Sequence, residues 1–141
     1  MIVTQCVQNY FKIVLRMISS ILVVDDSKSS RKINLAMVRE LTGENVTCLE
    51  ADSGEVALDI LGSQRVDVVL LDLTMPGISG FDVLAQMRSK HLHGRVIVVS
   101  ADIQRLAKER VASLGATGFI EKPIKIEALR AMLTQLGAIH E

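Results

Sequence analysis

The chain has 141 residues, 49% hydrophobic and 23% charged, with 16 basic side chains against 16 acidic ones. That length fits one domain with a real core, and the even charge balance excludes both intrinsic disorder and a basic nucleic-acid footprint. Four aromatic residues, Tyr10, Phe11, Phe81 and Phe119, do not alternate with Lys or Arg, so no base-stacking surface is encoded either.

Residues 1–19 stand apart from the rest of the chain. Ile2/Val3, Cys6/Val7, Tyr10/Phe11, Val14/Leu15 and Ile18 place apolar pairs at nearly helical spacing, with Lys12 and Arg16 off that stripe. Two readings stand side by side: an amphipathic helix that docks on the domain, a partner or a membrane surface, or a segment of no such role, because translation begins at Met17 or because the terminus is frayed. The segment has neither the charged start nor the small-residue cleavage site of a signal peptide, and no run approaches the roughly 18–20 apolar residues of a membrane helix. A cytoplasmic location is expected. Cys6 and Cys48 lack metal-like spacing and a CxxC pair, and read as thiols in a reducing compartment.

From residue 21 onward, short β-rich runs alternate with segments of helical period, which predicts a parallel sheet flanked by helices. Strands are expected over residues 21–25, 46–51, 66–72, 95–101 and 118–121. The third and fourth runs, VDVVLLD and RVIVVSA, are almost continuously apolar, as suits central strands buried on both faces. Between the strands, Ile33, Met37 and Leu41 form a four-residue stripe; Val56, Ala57, Ile60 and Leu61 form a second; Phe81, Leu84 and Met87 a third. Leu106, Ala107, Val111 and Leu114, then Ile126, Leu129, Leu133 and Leu136, complete five helices. Right-handed crossovers make this an α/β doubly wound sheet of flavodoxin-like order 2-1-3-4-5. One domain is expected over residues 20–141, with no output domain after the last helix.

In such sheets ligands bind beyond the carboxyl ends of the strands, near the point where strand order reverses. The first strand ends in Asp25-Asp26, the third in Asp72, the fourth in Ser100, and the fifth runs into Lys122-Pro123. Three carboxylates brought together repel unless a cation sits among them, and Mg²⁺ takes one or two carboxylates, a carbonyl and an anionic substrate oxygen. Lys122 supplies a fixed positive charge and Ser100 a hydroxyl, both suited to the oxygens of a transferring phosphoryl group. Each element alone has an ordinary explanation: Asp25 and Asp26 as helix caps, Asp72 as the opening of the turn DLTMPG, Lys122 as a solvated loop lysine, Phe119 as core. Their joint arrangement at the ends of four strands argues for a site.

The chain strongly resembles the receiver domains of two-component response regulators, especially the single-domain, chemotaxis-like members. The resemblance rests on ILVVDDS, VVLLDLTMPGISG, VIVVSA and GFIEKP, and covers residues 20 to about 138. It implies that Asp72 attacks a phosphohistidine and becomes an aspartyl phosphate, in a self-catalysed transfer and not as a conventional enzyme. It further implies that Asp26, Asp72 and the Thr74 carbonyl ligate Mg²⁺, that Asp25 acts mainly through bound water, and that Lys122 holds a phosphoryl oxygen and precedes a cis bond to Pro123. Ser100 and Phe119 are implied as the switch pair, with Phe119 lacking the hydroxyl of a Tyr, so that packing alone biases it. The response surface is implied to span residues 103–136. The implied partners are a sensor histidine kinase or histidine phosphotransfer protein and a downstream target protein.

Three competing readings are open to the residues. A haloacid-dehalogenase-like phosphatase also uses an Asp nucleophile with Mg²⁺, but Asp72 is followed by Leu73 and Thr74 with no acid two positions on. A flavodoxin-type flavin module would need a phosphate cradle where Asp25-Asp26-Ser27 is repulsive. A receiver-like interaction module without phosphorylation need not keep all five polar groups.

Overall fold

The structure is a computed structural model that describes residues 5–6 and 18–138. In chain order the elements are β1 (Ser20–Val24), α1 (Lys28–Thr42), β2 (Thr47–Ala51), α2 (Gly54–Ser63), β3 (Val68–Asp72), α3 (Gly80–Ser89), β4 (Arg95–Ser100), α4 (Arg105–Ser113), β5 (Gly118–Glu121) and α5 (Ile126–Gln135). All strand pairs are parallel, in the order β2-β1-β3-β4-β5. This is the expected flavodoxin-like sheet, and the order reverses between β1 and β3.

Alternate strand residues divide the core into two layers, because successive side chains of a strand point to opposite faces. Leu22, Val24, Val69, Leu71, Val96 and Val98 pack with α2, α3 and α4 through Ala57, Leu61, Val83, Leu84, Met87 and Val111. Ile21, Val23, Val68, Leu70, Ile97 and Val99 pack with α1 and α5 through Leu35, Val38, Leu129 and Leu133. The inner strands are therefore apolar throughout, whereas β2, at the edge, is only partly buried.

Several predicted faces are corrected. The stripe Ile33, Met37, Leu41 is only the flank of the buried face of α1: Met37 and Leu41 are half-buried against the core, but the residues fully buried are Asn34, Leu35 and Val38, and Ile33 is 57% exposed. A step of four residues turns about 40° past a full turn of helix, so a strict four-residue stripe drifts off the sheet. Val56 on α2 and Leu106 on α4 are likewise exposed, the latter at 71%, while Ala57, Leu61 and Val111 of the same stripes make the expected core contacts.

Of α4, only Val111 is buried. The helix is tied to α3 by two side-chain contacts: the Arg110 guanidinium carbon lies 3.9 Å from the Phe81 ring centroid, and Arg88 Nη1 donates to the Ser113 carbonyl at 2.7 Å.

β3 is shorter than expected at its start, since Val66 and Asp67 precede it. The buried Asp67 carboxylate accepts from the N–H of Ser19 at 2.7 Å, the N–H of Ser20 at 3.3 Å and the Ser19 hydroxyl at 3.2 Å. Asp67 thus fastens the entry of β1 beside β3, at the end of the sheet opposite the strand termini that carry the acidic residues. Ile18 packs into the core from the same entry. The extension expected over residues 1–19 otherwise falls almost wholly outside the described residues.

Burial works against the charge of Asp67, but the Ser19 and Ser20 donors and the Arg65 guanidinium outweigh it and hold the carboxyl below the ordinary aspartate range. A carboxyl lowered in the folded state contributes stability above its unfolded pKa of about 4, and that contribution is lost as pH falls through the folded value. Asp67→Asn should cost about 1–3 kcal/mol at pH 7 and flatten the loss of stability below about pH 4, as read by urea unfolding across pH.

Candidate functional site

Parallel register brings the ends of four strands together. Val24 pairs with Leu71, Asp72 with Val99 and Ser100 with Glu121, so Asp25, Asp72, Ser100 and Lys122 emerge on one edge of the sheet. Both Asp25 and Asp72 are buried, while Asp26 is exposed.

Asp25 is held at every polar atom. Its Oδ1 accepts from the Ser27 N–H at 2.9 Å and its Oδ2 from the Ser30 hydroxyl at 2.6 Å. Its own N–H donates to the Ala51 carbonyl at 3.1 Å, and its carbonyl accepts from Arg31 Nη1 at 2.8 Å. Ser27 caps α1 by accepting from the Ser30 N–H, so the expected capping role falls to Ser27 and leaves the two acids free of it.

Asp72 Oδ1 accepts from the Thr74 N–H at 3.1 Å, the turn bond expected of an Asp at this place. Its Oδ2 lies 3.1 Å from Lys122 Nζ, which is also 3.6 Å from Asp25 Oδ2. The Lys122 N–H donates to the Ser100 carbonyl at 2.9 Å, and the Lys122–Pro123 bond is cis. One carboxylate oxygen from each of Asp25, Asp26 and Asp72 lies within 4.8 Å of the other two. Burial pushes the Asp72 carboxyl above the ordinary aspartate range; the Lys122 ammonium and the Thr74 N–H pull the other way, and the charge of Asp25 adds to the rise.

Three carboxylates face one ammonium, which leaves an excess of negative charge in a largely buried place. Hard oxygen donors at this spacing suit a small divalent cation of the Mg²⁺ class, which takes one or two carboxylates and keeps waters elsewhere. The donor set fits.

Ser100 is buried, and its Oγ accepts from the Asp102 N–H at 3.1 Å. Phe119 is half-buried against the α2–α3 side of the core, with Lys108 Nζ 5.4 Å from its ring centroid. Packing is therefore joined by a cation–π contact, which the residue pattern alone did not suggest. Behind Phe119, Lys122, Pro123, Lys125, Ala128 and Met132 line a groove between β5 and α5.

Sequence reasoning also missed Arg31, Glu50 and Gly80. Gly80 opens α3 directly against the end of β3: a Cβ there would meet the Asp72 carbonyl at 2.5 Å and Leu73 Cα at 2.7 Å. The signal was present in Ser79 and Asp82, which form a capping box that marks the start of α3.

The family model described as the response regulator receiver domain matches residues 21–134. The chain belongs to that family and is a receiver domain of a two-component response regulator with an acidic Asp cluster. Among its relatives, the chemotaxis protein CheY of Pseudomonas aeruginosa is 33% identical over 120 residues, covering 82% of this chain and 94% of that protein. A cyclic di-GMP phosphodiesterase of Thermotoga maritima is 34% identical over 115 residues, but the match spans only 30% of its length. The crystallised chemotaxis protein CheY4 of Vibrio cholerae superposes with a TM-score of 0.76 at 26% identity, over 84% of this chain and 98% of that one. Family membership displaces the dehalogenase-like phosphatase and flavodoxin readings. No helix among the described residues is long and apolar enough to cross a membrane.

Gly80→Ala should cost about 1–3 kcal/mol by overpacking against the β3 terminus. Gly62→Ala is the control: a Cβ at that position of α2 meets nothing within 4 Å, so helix propensity should make it stabilising by about 0.5–1 kcal/mol. Urea unfolding of both variants checks the pair.

Proposed function

We propose that the chain is a phosphoacceptor in a two-component phosphorelay and that Asp72 is the residue phosphorylated. The observation that carries this reading is the buried Asp72 carboxylate, 3.1 Å from Lys122 Nζ and grouped with Asp25 and Asp26 within 4.8 Å. An Asp72 oxygen attacks the phosphorus of a phosphohistidine; the O–P bond forms as the N–P bond breaks, and the imidazole departs with the electron pair. Asp26, Asp72 and the Thr74 carbonyl would hold Mg²⁺, with Asp25 acting mainly through water, and the bound ion would supply positive charge against the phosphoryl oxygens.

Lys122 does the rest of the charge work. Its ammonium already sits between Asp25 and Asp72, placed to take up a phosphoryl oxygen on Asp72. The partners in this reading are a sensor histidine kinase or a histidine phosphotransfer protein upstream and a target protein downstream. Residues 20–141 act as the receiver, in the cytoplasm, with residues 1–19 as an extension.

Ser100 and Phe119 relay the change. In the unphosphorylated protein the Ser100 hydroxyl is engaged by the Asp102 N–H. A phosphoryl group on Asp72 gives the Ser100 hydroxyl proton a charged acceptor, and the movement of Ser100 toward it opens space for Phe119 to turn inward, altering the surface of residues 103–136. The loosely tied α4, with Leu106 exposed, lies in that surface.

Intact-mass measurement after treatment with a small phosphodonor tests the acceptor. Wild type should gain one phosphoryl group only with Mg²⁺, and Asp72→Asn, which keeps size and turn geometry, should gain none. A full adduct on Asp72→Asn assigns the chemistry elsewhere, and no adduct on wild type favours an interaction module without phosphorylation. Ser100→Ala should keep the adduct but lose most of the amide NMR shifts across residues 103–136 on addition of beryllofluoride. An undiminished set of shifts would remove Ser100 from the relay.

A further inference from the structure

Asp25 and Asp26 are adjacent, yet the site treats them differently. Asp25 is buried and its four polar atoms are all engaged, whereas Asp26 is exposed and its carboxylate has no protein donor among the described residues. What aims Asp26 is therefore its backbone. The Asp25 carbonyl, the Asp26 nitrogen and the Asp26 Cα belong to one rigid peptide plane, so whatever holds that carbonyl fixes the point from which the Asp26 side chain departs.

The group holding it is Arg31. From the first turn of α1, its Nη1 donates to the Asp25 carbonyl at 2.8 Å while its Nε is bonded to Glu50 Oε1 of β2 at 2.9 Å. A planar guanidinium bonded through both Nε and Nη1 has little freedom to turn, which a lysine could not reproduce. The Arg31 side chain is 12% exposed and Glu50 is 54% exposed, so the ion pair lies at the rim, where such pairs contribute little to stability. Three elements, β2, α1 and the end of β1, meet in this one strap.

We infer that Arg31, anchored by Glu50, is a positioning residue that fixes the Asp25–Asp26 peptide and so presents the Asp26 carboxylate to the divalent cation. The inference rests on the metal site proposed for the acidic cluster. Positioning and simple charge give opposite signs. Removing a cation beside three carboxylates strengthens the local negative field and should tighten metal binding. Releasing the peptide plane should weaken it.

Mn²⁺ titration followed by electron paramagnetic resonance, with Mg²⁺ competition, reads the affinity without any phosphodonor. Arg31→Met and the charge-keeping Arg31→Lys should each weaken binding about 10-fold, the usual size of losing a group that orients a ligand. Glu50→Gln should weaken binding in the wild-type background and add nothing in Arg31→Met. Unfolding midpoints in EDTA should stay close to wild type, and if Arg31→Met does not fold, Arg31→Lys decides the matter alone. Tighter or unchanged binding in the Arg31 variants, with Asp26→Ala losing the metal, overturns the inference and leaves the site intact. Asp26→Ala binding Mn²⁺ as wild type does overturns the site itself.

Discussion

Negative charge crowded at the carboxyl edge of the sheet is the constraint around which the molecule is arranged. Asp25 and Asp72 are both buried there, and Lys122 is the one ammonium placed between them among the described residues. Charges out of water are tolerated only when each oxygen finds a donor. The local structure meets that demand: Ser27, Ser30 and Arg31 on the β1–α1 side, the Thr74 N–H after β3, and the Lys122 ammonium after β5. No buried side-chain nitrogen or oxygen among the described residues lacks a partner.

That arrangement depends on the opposite end of the sheet being fastened independently. Asp67 ties the entry of β1 to the entry of β3, and the parallel register then carries Val24 level with Leu71 and Asp25 to the height of Asp72. A slip of one residue in β1 would exchange its two faces as well as displace Asp25. Since Ile21 and Val23 pack on one layer and Leu22 and Val24 on the other, both layers resist that slip.

The sheet, its order and the residues at the strand ends were legible because they depend on sequence features of short range: apolar runs of strand length and polar residues that stop them. Helix faces were less legible. On α1, Ile33 and Leu35 are both apolar, and only the packing angle of the helix on the sheet decides that Leu35 is buried and Ile33 is not. Arg31 and Glu50 were invisible for a related reason. They are 19 residues apart and look like two ordinary surface charges until β2 and α1 are laid side by side. The Lys108–Phe119 contact has the same character, being made between α4 and β5.

The weak attachment of α4 has a consequence for cooperativity. Detaching this helix from the body exposes one buried valine and breaks three side-chain contacts, Arg110 on Phe81, Arg88 on the Ser113 carbonyl and Lys108 on Phe119, while both core layers beneath the sheet's other helices stay closed. Its opening free energy is thus separated from that of the whole domain, and α4 belongs to the low end of the local-stability range. Two energy scales coexist in one small chain: a sheet that melts as a unit, and a helix whose population of detached states responds to perturbations far too small to unfold the rest.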